Sequence, residues 1–236
     1  MKLLCRALVL ACMASLGGCA PDAGSDAAVT NHTEEIRSGS FATSIYPEAA
    51  LVDGDSEYKC SGVLVAARVV VTAGHCVAVD TRFTVRLPAV SKSATGSNKW
   101  TDYHPTGEAV NPSSLDVAVV ILERAIALPF YPPLASAPVA NGSQAVNVGR
   151  IQNGDLSDAR LFFGAPVAIT QSTDFPLDYQ SDAIIESGDS GGPVYVGQGP
   201  SRQIVAVNSG AGRSVQVLAR IDLARAKIMQ LIAENP

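Results

Sequence analysis

The chain has 236 residues, of which 47% are hydrophobic and 17% are charged. This composition favours a single globular domain with a substantial core and argues against a disordered chain. The formal net charge is -5 and no run of Lys or Arg occurs, so the sequence lacks the electrostatic footprint of a nucleic-acid-binding protein.

The start of the chain is typical of an export signal, which we place at residues 1–18. Lys2 and Arg6 give it a positive start, and its apolar core is about a dozen residues, shorter than the roughly 20 that a transmembrane helix needs. The ending LGGC at residues 16–19 resembles the lipobox of bacterial lipoproteins, in which the signal is cut before the cysteine and the thiol carries lipid. The resemblance implies lipidation of Cys19; the alternative is an ordinary secretory signal with a chance cysteine.

Residues 19–35 are small, polar and acidic and show no hydrophobic periodicity, which predicts a flexible tether or propeptide. Residues 36–236 form the predicted exported domain. We therefore expect the protein in the cell envelope, anchored to the outer membrane by lipid on Cys19, or secreted after processing.

Cysteine use agrees with export. Cys5 and Cys12 lie in the signal and Cys19 is the expected lipid site, which leaves Cys60 and Cys76 as one even pair. In an oxidising compartment such a pair favours a disulfide. Two buried free thiols are the alternative.

Beyond the tether, short β-branched runs alternate with Gly, Pro, Asn and Ser. Many short strands separated by turn signals predict an antiparallel barrel or sandwich. The candidate strands are 49–52, 62–65, 69–72, 83–87, 117–122, 145–148, 166–170, 193–196, 204–207 and 215–220.

One helix is predicted at the end of the chain. Asp222 is its expected N-cap, and the apolar residues after it fall on one helical face. We expect this face, formed by Ala224, Ile228, Leu231 and Ile232, to pack on the sheet.

The stretch SGDSGGP at residues 187–193 contains the candidate nucleophile Ser190. A serine hydroxyl needs a base within hydrogen-bond reach and a group that orients the base. Of the three histidines, His32 lies in the tether and His104 stands before a proline in a loop-like stretch. His75, in VVVTAGHC, directly follows a hydrophobic strand, where a rigid base is expected.

The carboxylate that would orient the histidine is Asp116, which precedes a very apolar strand in SSLDVAVVIL. A buried carboxylate is costly unless it is paired or hydrogen-bonded, so an imidazole N–H suits it. The order His75, Asp116, Ser190 is that of chymotrypsin-type peptidases. TAGHC, DVAVVIL and GDSGGP resemble the three active-site signatures of the trypsin/chymotrypsin family, and the resemblance extends over about residues 36–232.

This resemblance implies an all-β fold of two packed six-stranded antiparallel β-barrels with a C-terminal α-helix. It implies a serine endopeptidase in which Ser190 attacks, His75 transfers the proton and Asp116 holds His75. The backbone N–H groups of Gly188 and Ser190 are the expected oxyanion hole.

The family also suggests an activation pair. In family members, the aspartate before the nucleophile pairs with an N-terminal ammonium that proteolysis creates. Here that aspartate is Asp189, and Ile36 is the candidate new N-terminus after cleavage behind Glu35.

The resemblance places Ile184 at the base of the primary pocket and Asn208, Ser209 and Gly210 along its wall. Without an aspartate at the base, a Lys or Arg side chain would be desolvated without a partner. We expect small or medium apolar side chains to bind, with Gln216 entering from the neighbouring strand.

Two alternatives remain open: a catalytically inactive binding module at the cell surface on the same fold, and an esterase with the same machinery. We expect no cofactor and no metal, because three scattered histidines offer no ligand cluster. The expected partners are a protein or peptide substrate and the membrane, with no nucleic acid, and the expected state is a monomer.

Overall fold

The computed structural model describes residues 39–56, 58–106 and 110–236. The predicted signal, the tether, Cys19 and Ile36 lie outside the described residues. Within these ranges, no helix is long and apolar enough to cross a membrane.

The described residues form strands and one terminal α-helix, with short 3-10 turns between some of them. The strands in chain order are β1 (Ser40–Phe41), β2 (Ala49–Gly54), β3 (Lys59–Ala66), β4 (Val69–Thr72), β5 (Arg82–Leu87), β6 (Lys92–Thr101), β7 (Ala118–Leu122), β8 (Ser143–Gly149), β9 (Ile151–Gln152), β10 (Asp155–Leu156), β11 (Phe162–Phe163), β12 (Val167–Gln171), β13 (Asp178–Asp182), β14 (Pro193–Val196), β15 (Gln203–Ala211) and β16 (Val215–Arg220). Helix α1 (Ile221–Glu234) follows β16 directly.

The first barrel closes through antiparallel strands in the order β2-β3-β4-β7-β6-β5, and β5 pairs again with β2. Its strands carry β-branched and aromatic side chains that suit a pleated, half-buried surface. Val52, Leu64, Val70, Phe83 and Val120 fill its interior.

The second barrel has the order β8-β12-β13-β16-β15-β14 and closes where β14 pairs with β8. Strands β11 and β1 extend the sheet beyond β8. The interior contains Ile169, Tyr179, Val194 and Leu218. The predicted fold, two six-stranded antiparallel barrels with a C-terminal helix, is confirmed.

The two barrels share a buried interface. Leu51 and Val63 of the first barrel belong to the same apolar cluster as Val207 of the second. Arg150, between β8 and β9, is fully buried, and its Nη1 lies 2.7 Å from Oδ1 of Asp53 in β2. Close packing and a cross-barrel ion pair therefore fix the position of one barrel relative to the other.

Each predicted strand overlaps an observed strand, and the bounds 69–72, 193–196 and 215–220 coincide with β4, β14 and β16. The prediction omits two barrel strands, β6 and β13, and the two-residue strands β1, β9, β10 and β11. The two barrel strands were missed for a reason that lies in their composition. Their sequences, KSATGSNKWT and DYQSD, lack the apolar alternation on which a sequence-based assignment depends.

The terminal helix was predicted correctly, but its N-cap was not. Arg220 occupies the N-cap position, and Asp222 lies inside the first turn, where its Oδ2 accepts a hydrogen bond from Nη2 of Arg220 at 2.7 Å. An acidic side chain in the first turn interacts favourably with the positive end of the helix dipole. The predicted apolar face does pack on the core, through Ala224, Ile228, Leu231 and Ile232.

Candidate active site

A cleft of about 450 Å³ receives side chains from both barrels. The first barrel contributes His75 and Tyr58, and the second contributes the segment before β14 and the end of β15. The full lining is Tyr58, His75, Ile185, Glu186, Ser187, Ser190, Ser209, Gly210, Ala211 and Gly212. His75 and Ser190, far apart in the chain, therefore face one cavity.

Asp116 holds His75 through two contacts. The backbone N–H of His75 donates to Oδ1 of Asp116 at 2.7 Å, and Nδ1 of its ring lies 2.7 Å from Oδ2. Because an ionised carboxylate only accepts hydrogen bonds, Nδ1 is the protonated ring nitrogen and Nε2 is left able to accept a proton. The backbone contact fixes the residue, and the ring contact fixes the tautomer.

Asp116 is only 3% exposed and also accepts a hydrogen bond from Oγ of Ser209 at 2.6 Å. Burial alone would raise the pKa of Asp116. The hydrogen bonds from His75 and Ser209 outweigh that effect and hold the pKa of this carboxyl below its usual value. The carboxylate is therefore ionised wherever the imidazole can act as a base.

Two tyrosine rings flank the imidazole of His75 edge-on, with centroid distances of 6.5 Å for Tyr58 and 6.1 Å for Tyr103. Burial raises the pKa of both phenols, so both rings stay neutral. They limit the movement of the imidazole without competing for its proton.

A disulfide joins Cys60 of β3 to Cys76, the residue after His75, with a Cα–Cα distance of 6.3 Å. The predicted bridge is confirmed. In the described part of the chain, Cys60, His75 and Cys76 bring ligand-type atoms within 4.8 Å of one another. The bridge uses both thiols, so neither sulfur is available as a thiolate ligand.

The turn that carries Ser190 is held by backbone contacts from both barrels. The carbonyl oxygen of Ser190 accepts from the N–H of Ser61 in β3 at 2.8 Å, and the N–H of Gly191 donates to the carbonyl of Asn208 in β15 at 2.7 Å. Gly191 has φ of +79°, and a Cβ there would overlap the carbonyl oxygen of Ser61. Only glycine fits this close approach.

Gly188 and Ser190 are the predicted oxyanion donors. Gly188 has φ of +115°, a conformation that favours glycine. Among the described residues, the N–H groups of Gly188 and Ser190 have no hydrogen-bond partner, whereas the N–H of Asp189 between them donates to the carbonyl of Glu186 at 3.0 Å. The two expected donors are therefore available to a ligand.

Asp189 is fully buried beneath this turn. Its Oδ1 accepts from the N–H of Ile151 at 2.8 Å and its Oδ2 accepts from the N–H of Glu186 at 3.0 Å. Burial raises the pKa of Asp189 to about 7 despite these bonds. Because Ile36 lies outside the described residues, the predicted activation pair stays a prediction.

A model of the family described as "Trypsin-like peptidase domain" matches residues 60–200, a span that includes His75, Asp116 and Ser190. The chain belongs to this family. Curated protein sequences include no significant match to this trypsin-like peptidase.

Solved structures share the fold of this trypsin-like peptidase. Human heparin binding protein matches with a TM-score of 0.65 and 22% identity, over 84% of this chain and 96% of that chain. A protease titled "Rv3671c protease, inactive form" matches with a TM-score of 0.57 and 19% identity, over 83% of this chain and 94% of that chain. At such identities the likeness shows the fold alone.

The pocket of the trypsin-like peptidase differs in part from the sequence prediction. Ser209 and Gly210 line the cleft as predicted, but Asn208 does not. Its side chain is buried, and its amide donates to the carbonyl oxygens of Val148 at 2.9 Å and Asp189 at 3.0 Å. The pairing of β15 with β16 shifts register between Asn208 and Gly210, so the segment that lines the cleft begins at Ser209.

Ile184 also lies off the cleft surface. It is 3% exposed, and its backbone N–H donates to Oε1 of Gln216 at 3.0 Å. The next residue, Ile185, lines the cleft instead. Sequence reasoning missed Ile185, and it missed Ala211 and Gly212, which directly follow the predicted wall.

Proposed function

We propose that this trypsin-like peptidase is an active serine endopeptidase that uses Ser190, His75 and Asp116. One observation carries the proposal: the hydrogen-bonded line from Ser209 through Asp116 to His75 ends at the cleft that Ser190 also lines. A line of this kind prepares the imidazole to accept a proton from a hydroxyl in the same cleft.

In the proposed reaction, Oγ of Ser190 forms a bond to the carbonyl carbon of the peptide while its proton moves to Nε2 of His75. The C–N bond then breaks, and the same proton goes to the leaving amine, which leaves an acyl-enzyme ester. Water attacks the ester with His75 again as base, and Ser190 recovers its proton when the acid leaves. Asp116 stays ionised and stabilises the imidazolium in both stages.

The tetrahedral intermediate places negative charge on the former carbonyl oxygen. The N–H groups of Gly188 and Ser190, which lack partners among the described residues, support an oxyanion hole at this position. Loss of one such donor typically lowers kcat by about 100- to 1000-fold. The geometry of the turn that carries Ser190 is therefore expected to contribute to the rate in addition to the triad.

Labelling with a fluorophosphonate, which reacts with activated serines, tests the proposal. We expect the full chain to be labelled and to hydrolyse a casein substrate, and we expect Ser190→Ala and His75→Ala to lose both activities. Ser187→Ala is the matched control, because Ser187 lines the same cleft but has no proposed role in the chemistry. Labelling that survives in Ser190→Ala would contradict the assignment.

The same assay separates the alternatives. Human heparin binding protein shares the fold, which supports a binding module as the second candidate. That candidate predicts a folded chain that is neither labelled nor active. An esterase would be labelled at Ser190 and cleave acyl esters, but it would leave peptides intact.

The proposed location is the cell envelope, with lipid on Cys19. The LGGC ending supports this proposal. Metabolic labelling with an alkyne fatty acid should mark the wild-type protein and not Cys19→Ala.

A second proposal is cleavage before Ile36, which N-terminal sequencing of the active protein tests. Activity in chains that still carry residues 20–35 would contradict a requirement for this cleavage.

A further inference from the structure

Gln216 is a polar side chain buried completely in the second barrel. Its Oε1 accepts hydrogen bonds from the backbone N–H groups of Ile184 at 3.0 Å and Ile185 at 3.1 Å. Its Nε2 donates to Oγ of Ser181 at 2.8 Å. The amide is thus held at both ends.

The position of Gln216 follows from strand pairing. In β16 it lies opposite Ala211 of β15 on one side and opposite Ser181 of β13 on the other. Ala211 and Ile185 both line the cleft, whereas Gln216 is not among its lining residues. The side chain of Gln216 therefore connects the strand beside Ala211 to the backbone of Ile184 and Ile185, behind residues that line the cavity.

The hydrogen bonds of Gln216 hold its side chain rigidly. A bound side chain that pushed the amide aside would leave the N–H groups of Ile184 and Ile185 buried without acceptors, which proteins avoid. The buried amide also supplies no negative charge that could pair with a Lys or Arg side chain. The amide behind these lining residues is therefore both fixed in position and neutral.

We propose that Gln216 is the residue that limits the length of the primary pocket, so that the peptidase cleaves after small side chains such as Ala and excludes large aromatic and basic ones. This inference rests on the proposed function. Ile185 supplies the apolar wall against which a methyl group packs, and Gln216 fills the space that a longer side chain would need. Glu186, which also lines the cleft, is the one acidic group among the described lining residues.

The test uses tetrapeptide amides that differ only in the residue before the cleaved bond, which is Ala, Phe or Arg. For the full-length wild-type chain we expect kcat/KM for Ala to exceed that for Phe and Arg by at least about tenfold, since pockets discriminate by this much per methylene. Gln216→Ala should shift the Phe-to-Ala ratio by at least about tenfold towards Phe.

Gln216→Met is the matched control. It keeps the length and volume of the side chain but loses the hydrogen bonds, so the Phe-to-Ala ratio should stay within about threefold of wild type. An equal shift in both variants would overturn the inference, because lost hydrogen bonds rather than opened space would then explain it. Rapid wild-type cleavage after Phe would also overturn it, and rapid cleavage after Arg would point to Glu186 as the determinant.

Inhibitors of the wild type keep the inference testable if Gln216→Ala does not fold. A peptide boronic acid with Ala at the reacting position should bind at least about tenfold more tightly than its Phe counterpart, and equal binding would contradict the inference. Different results refute the role of Gln216 and the proposed function. A chain that is labelled at Ser190 but shows no preference for Ala refutes only the role of Gln216, whereas a folded chain that is neither labelled nor active refutes the proposed function and the inference together.

Discussion

Asp178, at the start of β13, is a buried carboxyl that forms no ion pair with the residues that the structure describes. It is 2% exposed, and its Oδ1 has no hydrogen-bond partner within the described ranges. The pKa of Asp178 is raised to about 7: burial contributes most, the negative charge of Asp116 adds to the rise, and Arg220 opposes it. The ionised form of Asp178 is therefore costly in the folded state.

The sign and size of the effect on stability follow from linkage. The folded-state pKa of about 7 exceeds the ordinary value of 3.8, so the folded protein binds this proton more tightly than the unfolded chain does. The free energy of unfolding therefore falls as pH rises from about 4 to about 7 and stays low above that. At 1.36 kcal/mol per pKa unit, the total cost is at most about 4 kcal/mol.

Asp178→Asn removes the charge at nearly constant shape. We expect the variant to be more stable than wild type at pH 8, and we expect its advantage to grow by about 2–3 kcal/mol between pH 5 and pH 8. Urea unfolding followed by fluorescence at both pH values measures the difference. Asp174→Asn is the control, because Asp174 is exposed in the loop just before β13.

The other titrating carboxyl with a similar value, Asp189, is present in both proteins and cancels in the comparison. An advantage that is equal at pH 5 and pH 8 would refute the assignment of the cost to ionisation. A variant that is less stable than wild type at both values would show instead that the carboxyl of Asp178 makes a favourable contact.

Three further predictions concern the site itself. Ser209→Ala removes a hydrogen bond to the buried carboxylate of Asp116, which should lower the free energy of unfolding at pH 8 by about 1.5–3 kcal/mol in urea titrations. Replacing Cys60 and Cys76 together by Ala opens a loop with a sequence separation of 16, which should cost about 3 kcal/mol, and adding reductant to the wild type should reproduce the loss. Gly191→Ala should abolish fluorophosphonate labelling, because its Cβ would overlap the backbone of β3; undiminished labelling would contradict the tight approach.

The parts of the site that the sequence predicts are those where chemistry restricts the residue type. A serine nucleophile needs a base and a carboxylate, and only one histidine follows a strand in a rigid setting, so His75 was identifiable before the fold was known. The even cysteine pair and the predicted export favoured the Cys60–Cys76 bridge, which the structure confirms. The strand positions followed from β-branched runs, and β6 was missed because its polar residues carry no such signal.

The pocket was harder to predict because it depends on which way each side chain points. The pairing of β15 with β16 shifts register between Asn208 and Gly210, so a regular alternation cannot be extended through this segment from sequence alone. Nor does a glutamine in a strand indicate that its amide will bind two backbone N–H groups on the opposite wall. Gln216 was expected near the pocket, but its contacts with Ile184 and Ile185 required coordinates.

Two adjacent residues of β3 connect the turn of His75 to the turn of Ser190. Cys60 is bonded to Cys76, the residue after His75. Ser61 makes two contacts with the turn of Ser190: its N–H donates to the carbonyl of Ser190, and the Oγ of Ser61 donates to the carbonyl of Gly188 at 3.0 Å. A movement of one barrel relative to the other would therefore have to break contacts to β3 before it separated His75 from Ser190. Because catalysis by proximity tolerates displacements of only about 1 Å, this shared attachment supports the proposed roles of His75 and Ser190, which come from different barrels.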